Sequence, residues 1–275
     1  MMRNHVAKLL VVVMALPAVL LPAAALAYIL AKGIPALSWS FVFSSEEGIG
    51  FGASGGVFPQ LVGSLLLAIS AIAVATPVAL GTALYHHLLA SPMQRRLLNT
   101  LLNILQSIPP IVFGLFGLIV FVHFFDWGVS LATGAVILAT VILPMMVLNS
   151  IASLERIPFE YTEAAQSLGL SHGELITRVW LPQAWPGIVT GLLLSMARAL
   201  SETAPILFTA TVFSGVIWPE SIFEPVTSLQ THIFYLAQEG SNEQAIRAAW
   251  GSAVVLIAAV ASFSLSARFL RRAPS

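Results

Sequence analysis

The chain has 275 residues, of which 58% are hydrophobic and only 9% charged; its formal net charge is zero and its mean hydropathy is +0.92. A soluble globular domain carries roughly 25% charged residues, so that class is excluded, and a balanced charge offers no basic face for nucleic acid. No cysteine is present, which removes disulfides, thiolate catalysis and cysteine-based metal sites.

Stretches of about 20 apolar residues each suffice to cross a bilayer, and the chain in order supplies several. Residues 1–8 are short and basic, and an uncharged apolar run follows over 9–31. The Ala23–Ala27 stretch resembles a signal-peptidase site. A signal h-region is only about 7–15 residues, shorter than this run, so a retained first span is expected. From Lys32 to Pro59 the chain is polar and Gly-rich, with Gly50, Gly52 and Gly55 spelling G-x-G-x-x-G. That pattern binds dinucleotides only between a strand and a helix; between two membrane spans it reads as turn chemistry.

The second span is expected over 61–84, with Pro77 kinking it near its end. Residues 85–96 read as a short solvated loop carrying His86, His87, Arg95 and Arg96. Neighbouring positions on a helix point apart, so the two histidines make a poor metal site. The third span, 97–125, contains Pro109-Pro110, and its Gly114 and Gly117 would let another helix approach closely. His123 near its end reads as an interfacial side chain. Residues 125–128 (Phe-Asp-Trp-Gly) form a tight exterior turn with an aromatic suited to headgroup depth. A fourth span follows over 129–150, then a long polar excursion over 151–186. The fifth span, 187–213, is interrupted by Arg198 and Glu202. A second long, acidic connection over 214–245 leads to the last span, 248–267, and a tail with Arg268, Arg271 and Arg272.

Six spans put both termini on one side. That side would hold Arg3, Lys8, Arg95, Arg96, Arg156, Arg178, Arg268, Arg271 and Arg272; the other would hold only Lys32 and Arg247. Lys and Arg in excess mark the cytoplasm, so both ends and the 151–186 loop are expected there. The fold class is therefore an all-α integral membrane protein, a single transmembrane domain over 1–275.

Within that loop, Pro158 precedes a short helix over 159–168, and Gly169 sits where a C′ glycine would end it. Ser171 and Glu174 make a capping-box pattern that opens a second helix into Leu175, Ile176 and Val179. Pro182 and Pro186 are expected to end that helix and start the next span. The product is a helix–turn–helix elbow, longer than a plain connection needs to be, with Ala164 and Ala165 presenting a small surface to another protein. Glu163-Ala164-Ala165, Gly169 and Val179-x-Leu181-Pro182 together resemble the EAA loop of bacterial ABC importer permeases, with Val179 where isoleucine is usual. The resemblance implies a type I importer permease fold. It also implies that Glu163, Ala164, Ala165, Gly169, Leu181 and Pro182 couple the chain to an ATPase. The chain has no G-x-x-x-x-G-K-[ST] phosphate loop of its own. No cofactor is expected on this chain; ATP and magnesium would be used by the partner ATPase.

Arg198 and Glu202 are four apart and share a helix face. A charge at mid-bilayer depth costs about 2.5–3.5 kcal/mol even on an insertion scale, so both should face protein or a water-filled path. One reading is an ion pair that only fixes packing. The other is that Arg198 offers a fork to an oxyanion while Glu202 holds it in place and limits how tightly the anion binds. The stretch ARALSETAP (197–205) resembles the ARA-x-GETAP segment of phosphate-importer permeases, as do residues 55–67, 108–118 and 224–237. Ser201 departs from the usual glycine and Pro110 from the usual serine.

The resemblance implies a substrate path through Arg198, Ser201, Glu202 and Thr203, with phosphate as solute. It implies as partners an ATPase subunit dimer, a second homologous permease subunit and a periplasmic phosphate-binding protein, with this chain itself in the lipid bilayer of the bacterial inner membrane. Other oxyanions such as molybdate, sulfate or a phosphonate remain open. A gradient-driven carrier would show a repeated second half, which is not seen, and a scaffold that transports nothing would not need the paired charges.

Overall fold

The computed structural model describes residues 2–44, 55–212, 218–240 and 242–272, and for residues 2–10 and 12 the backbone alone. Gly50, Gly52 and Phe213 lie outside the described residues. All the regular structure described is helical: α1 (Met2–Gly33), α2 (Trp39–Phe43), α3 (Phe58–Leu88), α4 (Pro92–Ser107), α5 (Pro110–Gly117), α6 (Leu131–Leu154), α7 (Phe159–Ser167), α8 (His172–Leu175), α9 (Leu181–Ala199), α10 (Ala204–Thr209), α11 (Leu229–Gln238) and α12 (Glu243–Arg272). The stretches Val13–Ala36, Phe58–Leu88, Leu131–Leu154 and Glu243–Arg271 are long and apolar enough to cross a membrane. The pair Pro92–Ser107 and Pro110–Phe124 makes a fifth when taken as one bent span.

That bend corrects the expectation of one continuous third span over 97–125: the two helices meet at 87°. Proline disfavours the helical region for the residue before it, and here two prolines follow one another. Ile108 and Pro109 accordingly take extended ψ values of 126° and 134°. The first arm, α4, opens on a capping box of Ser91 and Gln94 and carries exposed apolar side chains at Met93, Leu97, Leu101 and Ile104. The loop expected at 85–96 shrinks as well, because α3 runs past Pro77 to Leu88 and α4 begins at Pro92. His86 is thus a helical residue only 4% exposed, not a solvated one.

The chain packs as two compact units, residues 1–58 with 233–255 and residues 59–232 with 256–275. In the first, the edge of Tyr28 meets Trp250 at 5.5 Å and Arg247 donates to the Pro35 carbonyl at 3.1 Å. In the second, α6 is central, burying Leu138, Ile142 and Val147 against Leu67, Leu200 and Ile206. Without a hydrophobic drive in lipid, such packing rests on van der Waals contact and close backbone approach. Gly114 and Gly117 provide that approach, as expected. A Cβ on Gly114 would stand 2.9 Å from Pro205 Cα, and one on Gly117 would stand 2.8 Å from the Thr209 side chain. The 125–128 turn also forms, with Asp126 at φ 56° and Gly128 at φ 67°.

Candidate functional site

The elbow forms as its residues dictate. Helix α7 ends in a Schellman turn, with Leu170 N–H donating to Ala165 O at 3.2 Å and Gly169 N–H to Gln166 O at 2.9 Å. Gly169 has φ +77°, a region that costs a residue with a Cβ roughly 1–2 kcal/mol. Ser171 then caps α8: Glu174 N–H donates to Ser171 Oγ at 3.4 Å, and Ser171 N–H returns to Glu174 Oε2 at 3.1 Å. The Ser171 backbone N–H, its hydroxyl and then Arg178, whose Nη2 lies 3.4 Å from Glu174 Oε1, hold the Glu174 carboxyl below the ordinary carboxylate range.

Two expectations about the elbow are corrected. Pro182 does not end its second helix: residues Ile176–Trp180 widen into a π turn, Leu181 N–H reaches back to Ile176 O, and Pro182 enters α9 near its first position. Proline has no N–H to give and its ring crowds the carbonyl one turn back; a wider turn accommodates both. Pro186 likewise lies inside α9. And Ala165 is not a surface residue: it is 6% exposed, in the core shared with Leu175 and Trp180. Glu163 and Ala164 stay exposed, and Phe159, Tyr161 and Leu168 stand out beside them. Leu181 is half-buried and Pro182 exposed, at the root of α9 rather than at the tip of the elbow.

Inside the apolar segment, the expected fifth span is a broken helix. It starts at Leu181, stops at Ala199 and resumes at Ala204. Arg198 Nη2 pairs with Glu202 Oε1 at 2.9 Å across the break, as the spacing predicts. The Arg198 side chain is 44% exposed and that of Glu202 14%. A guanidinium has five N–H donors, so this single contact leaves most of the fork uncommitted. A helix end leaves its last carbonyls unpaired, and here each finds a donor. Leu200 N–H takes Met196 O, Ser201 Oγ–H takes Ala197 O at 2.8 Å, Ser201 N–H takes Arg198 O, and Glu202 N–H takes Ala199 O. The Ser201 hydroxyl proton is therefore spent on the backbone. Thr203 is half-buried and precedes α10 without capping it through its side chain.

Residues 75–273 match the family of binding-protein-dependent transport system inner membrane components. The chain belongs to this family. Relatives of the permease include a probable ABC transporter permease of Bacillus subtilis, 31% identical over 88% of this chain and 86% of that one. A phosphate transport system permease protein of Xylella fastidiosa is 35% identical over 78% of this chain and 75% of its own length. For a phosphate transport system permease protein of Mycobacterium bovis the identity is 36%, but the match spans 66% of this chain and only 59% of the relative. Among solved structures, the permease fold resembles a bacterial alginate ABC transporter, with a TM-score of 0.66 at 15% identity over 98% of this chain and 96% of that one. An inward-facing methionine ABC transporter gives 0.59 at 18% identity, over 80% and 95%.

Two features of the permease were not read from its sequence. Trp180, 5% exposed, donates Nε1–H to Thr162 Oγ1 at 3.1 Å and meets His87 edge-on at 5.0 Å. It thereby ties α7 and the π turn to the end of α3. The second feature is Gln230, whose side chain closes the list of carbonyls at the helix break by donating to Leu200 O at 2.7 Å. Among Thr227, Ser228, Thr231 and His232 it reads as one more polar residue of a connection, and its partner lies far away in sequence.

Proposed function

We propose that this permease is the membrane-spanning subunit of an ATP-driven importer of inorganic phosphate. The observation that carries the reading is Arg198: a half-exposed guanidinium at a helix break, held by one carboxylate contact and otherwise free to fork onto an oxyanion. The printed names of the Xylella and Mycobacterium relatives support phosphate as that anion. The pair of α9 and α10 would then complete the set of six spans as the fifth in chain order, with both ends and the elbow in the cytoplasm of a bacterial inner membrane. The Lys and Arg asymmetry supports that orientation. Glu163, Ala164 and Gly169 would seat the elbow in a cleft of the ATPase dimer, with Phe159, Tyr161 and Leu168 as apolar anchors. A second homologous permease and a periplasmic phosphate-binding protein complete the assembly. This chain performs no covalent step and holds no cofactor; ATP and magnesium are used at the partner.

Uptake of micromolar radiolabelled phosphate by cells lacking the gene tests this. The native gene should restore uptake, and Arg198→Gln, reaching the membrane in equal amount, should not. Restoration by both would demote the ion pair to packing. Restoration by neither, with sulfate or molybdate uptake restored instead, would transfer the same guanidinium site to another oxyanion.

A further inference from the structure

The break after Arg198 is held from outside its own helix. Gln230, 4% exposed in the first turn of α11, donates Nε2–H to Leu200 O at 2.7 Å. Its Oε1 lies 2.8 Å from Ser64 Oγ on α3, and Ser64 is 1% exposed. Ser64 Oγ in turn accepts from Leu229 N–H at 2.8 Å, capping α11, and lies 2.8 Å from Gln60 O. Leu200 O can only accept, and the Leu229 N–H can only donate. The amide of Gln230 is therefore oriented one way, with its nitrogen on the break. Gly63 brings the two elements close enough: a Cβ there would collide with the Thr227 carbonyl. Three segments far apart in the chain thus converge on one carbonyl, two residues past Arg198.

We infer that Gln230, seated by Ser64, is a positioning residue that fixes the helix break and with it the place of the Arg198 guanidinium on the transport path. The reason is chemical. A carbonyl exposed by a helix break inside a membrane must find a donor or the helix will re-form. Leu200 O has no partner other than Gln230 among the described hydrogen bonds. With the amide removed, the cheapest repair is for the break to move or close. A shift of one residue rotates a helical side chain by about 100°, since 3.6 residues make a turn. Arg198 would then leave its face. The functional half of this inference rests on the assignment of Arg198 to the phosphate path.

The test uses the assembled transporter with Gln230→Met, which keeps the length and loses both hydrogen bonds, and Ser64→Ala, a milder change on the same network. Hydrogen exchange of the backbone amides over 196–206 reads the clamp without reference to any solute. Phosphate uptake against concentration reads its use. Gln230→Met is expected to speed exchange in that segment at least tenfold, to leave exchange over 159–180 unchanged, and to raise the half-saturating phosphate concentration about tenfold. Ser64→Ala should give a smaller shift of both in the same direction, and it keeps the test open if Gln230→Met fails to assemble. Unchanged exchange over 196–206 in assembled variants overturns the clamp whatever uptake does. Faster exchange with an unchanged half-saturating concentration overturns the positioning role, while Arg198→Gln, which leaves the Gln230 bonds in place, tests separately whether Arg198 lies on the path.

Discussion

Ser201 looks at first like an additional anion ligand, because it adds a hydroxyl next to Arg198 and Glu202. Its proton goes to Ala197 O instead, so Ser201→Gly should change phosphate affinity by less than about threefold, as a competition assay would show. Glu202 is different. It is the one described contact of the Arg198 fork, and part-exposed pairs of this kind contribute about 0.2–1 kcal/mol. Glu202→Gln should therefore lower the half-saturating phosphate concentration by up to about fivefold, while slower release of the anion lowers the maximal rate. A rise in the half-saturating concentration would contradict this. At Gly169 the backbone decides: with φ +77°, Gly169→Ala should destabilise the elbow by about 1 kcal/mol and reduce ATP-coupled uptake while the protein still reaches the membrane.

At the scale of elements, the elbow joins one short helix, α7, which would be marginal alone, to the first turns of a helix that continues into α9. It holds through its caps and through Trp180. Ser171→Ala removes one side of the capping box and should cost about 1 kcal/mol. That loss has a pH signature. The folded carboxyl of Glu174 is lowered, so the stabilisation it brings is complete at neutral pH and is lost as pH falls through and below the ordinary carboxylate range. Ser171→Ala keeps the backbone N–H on that carboxylate and loses the hydroxyl. The difference in thermal unfolding between native and Ser171→Ala complexes should therefore be largest at pH 7 and should shrink, without vanishing, below the ordinary carboxylate range. Trp180→Phe keeps the ring against His87 but loses the bond to Thr162, at about 0.5–1.5 kcal/mol. Its expected signature is ATP hydrolysis retained with uptake reduced, because α7 is then less firmly tied to α3.

For the whole molecule, the close seams are where substitution should be least tolerated. Gly114 lies against Pro205, so a larger side chain there pushes α5 away from α10, the helix that resumes after the break. Gly114→Leu should cost about 1–3 kcal/mol as overpacking and abolish uptake even when the ATPase still docks, measurable as a complex that assembles and does not transport. The likeness to two solved transporters at under 20% identity shows that this arrangement of helices persists while most of the side chains change.

Some of this was written in the residues themselves. Apolar runs of bilayer length, the Schellman glycine, the capping box and the i, i+4 pair of Arg198 and Glu202 are all local: their partners are within a turn or two, so spacing alone determines them. What spacing could not reveal depends on distant partners. Pro109 and Pro110 marked a break but not an 87° bend, because the direction of α4 is set by what it packs on. Ala165 turned inward because α8 and the π turn cover it, and His86 was buried when α3 outran its apolar run. The break between α9 and α10 is the clearest case. The sequence offers Pro205 to restart the helix, but the carbonyl it orphans at Leu200 is satisfied by Gln230, thirty residues on, held by Ser64 from α3. A buried hydrogen bond needs both partners, and only the tertiary structure brings them together.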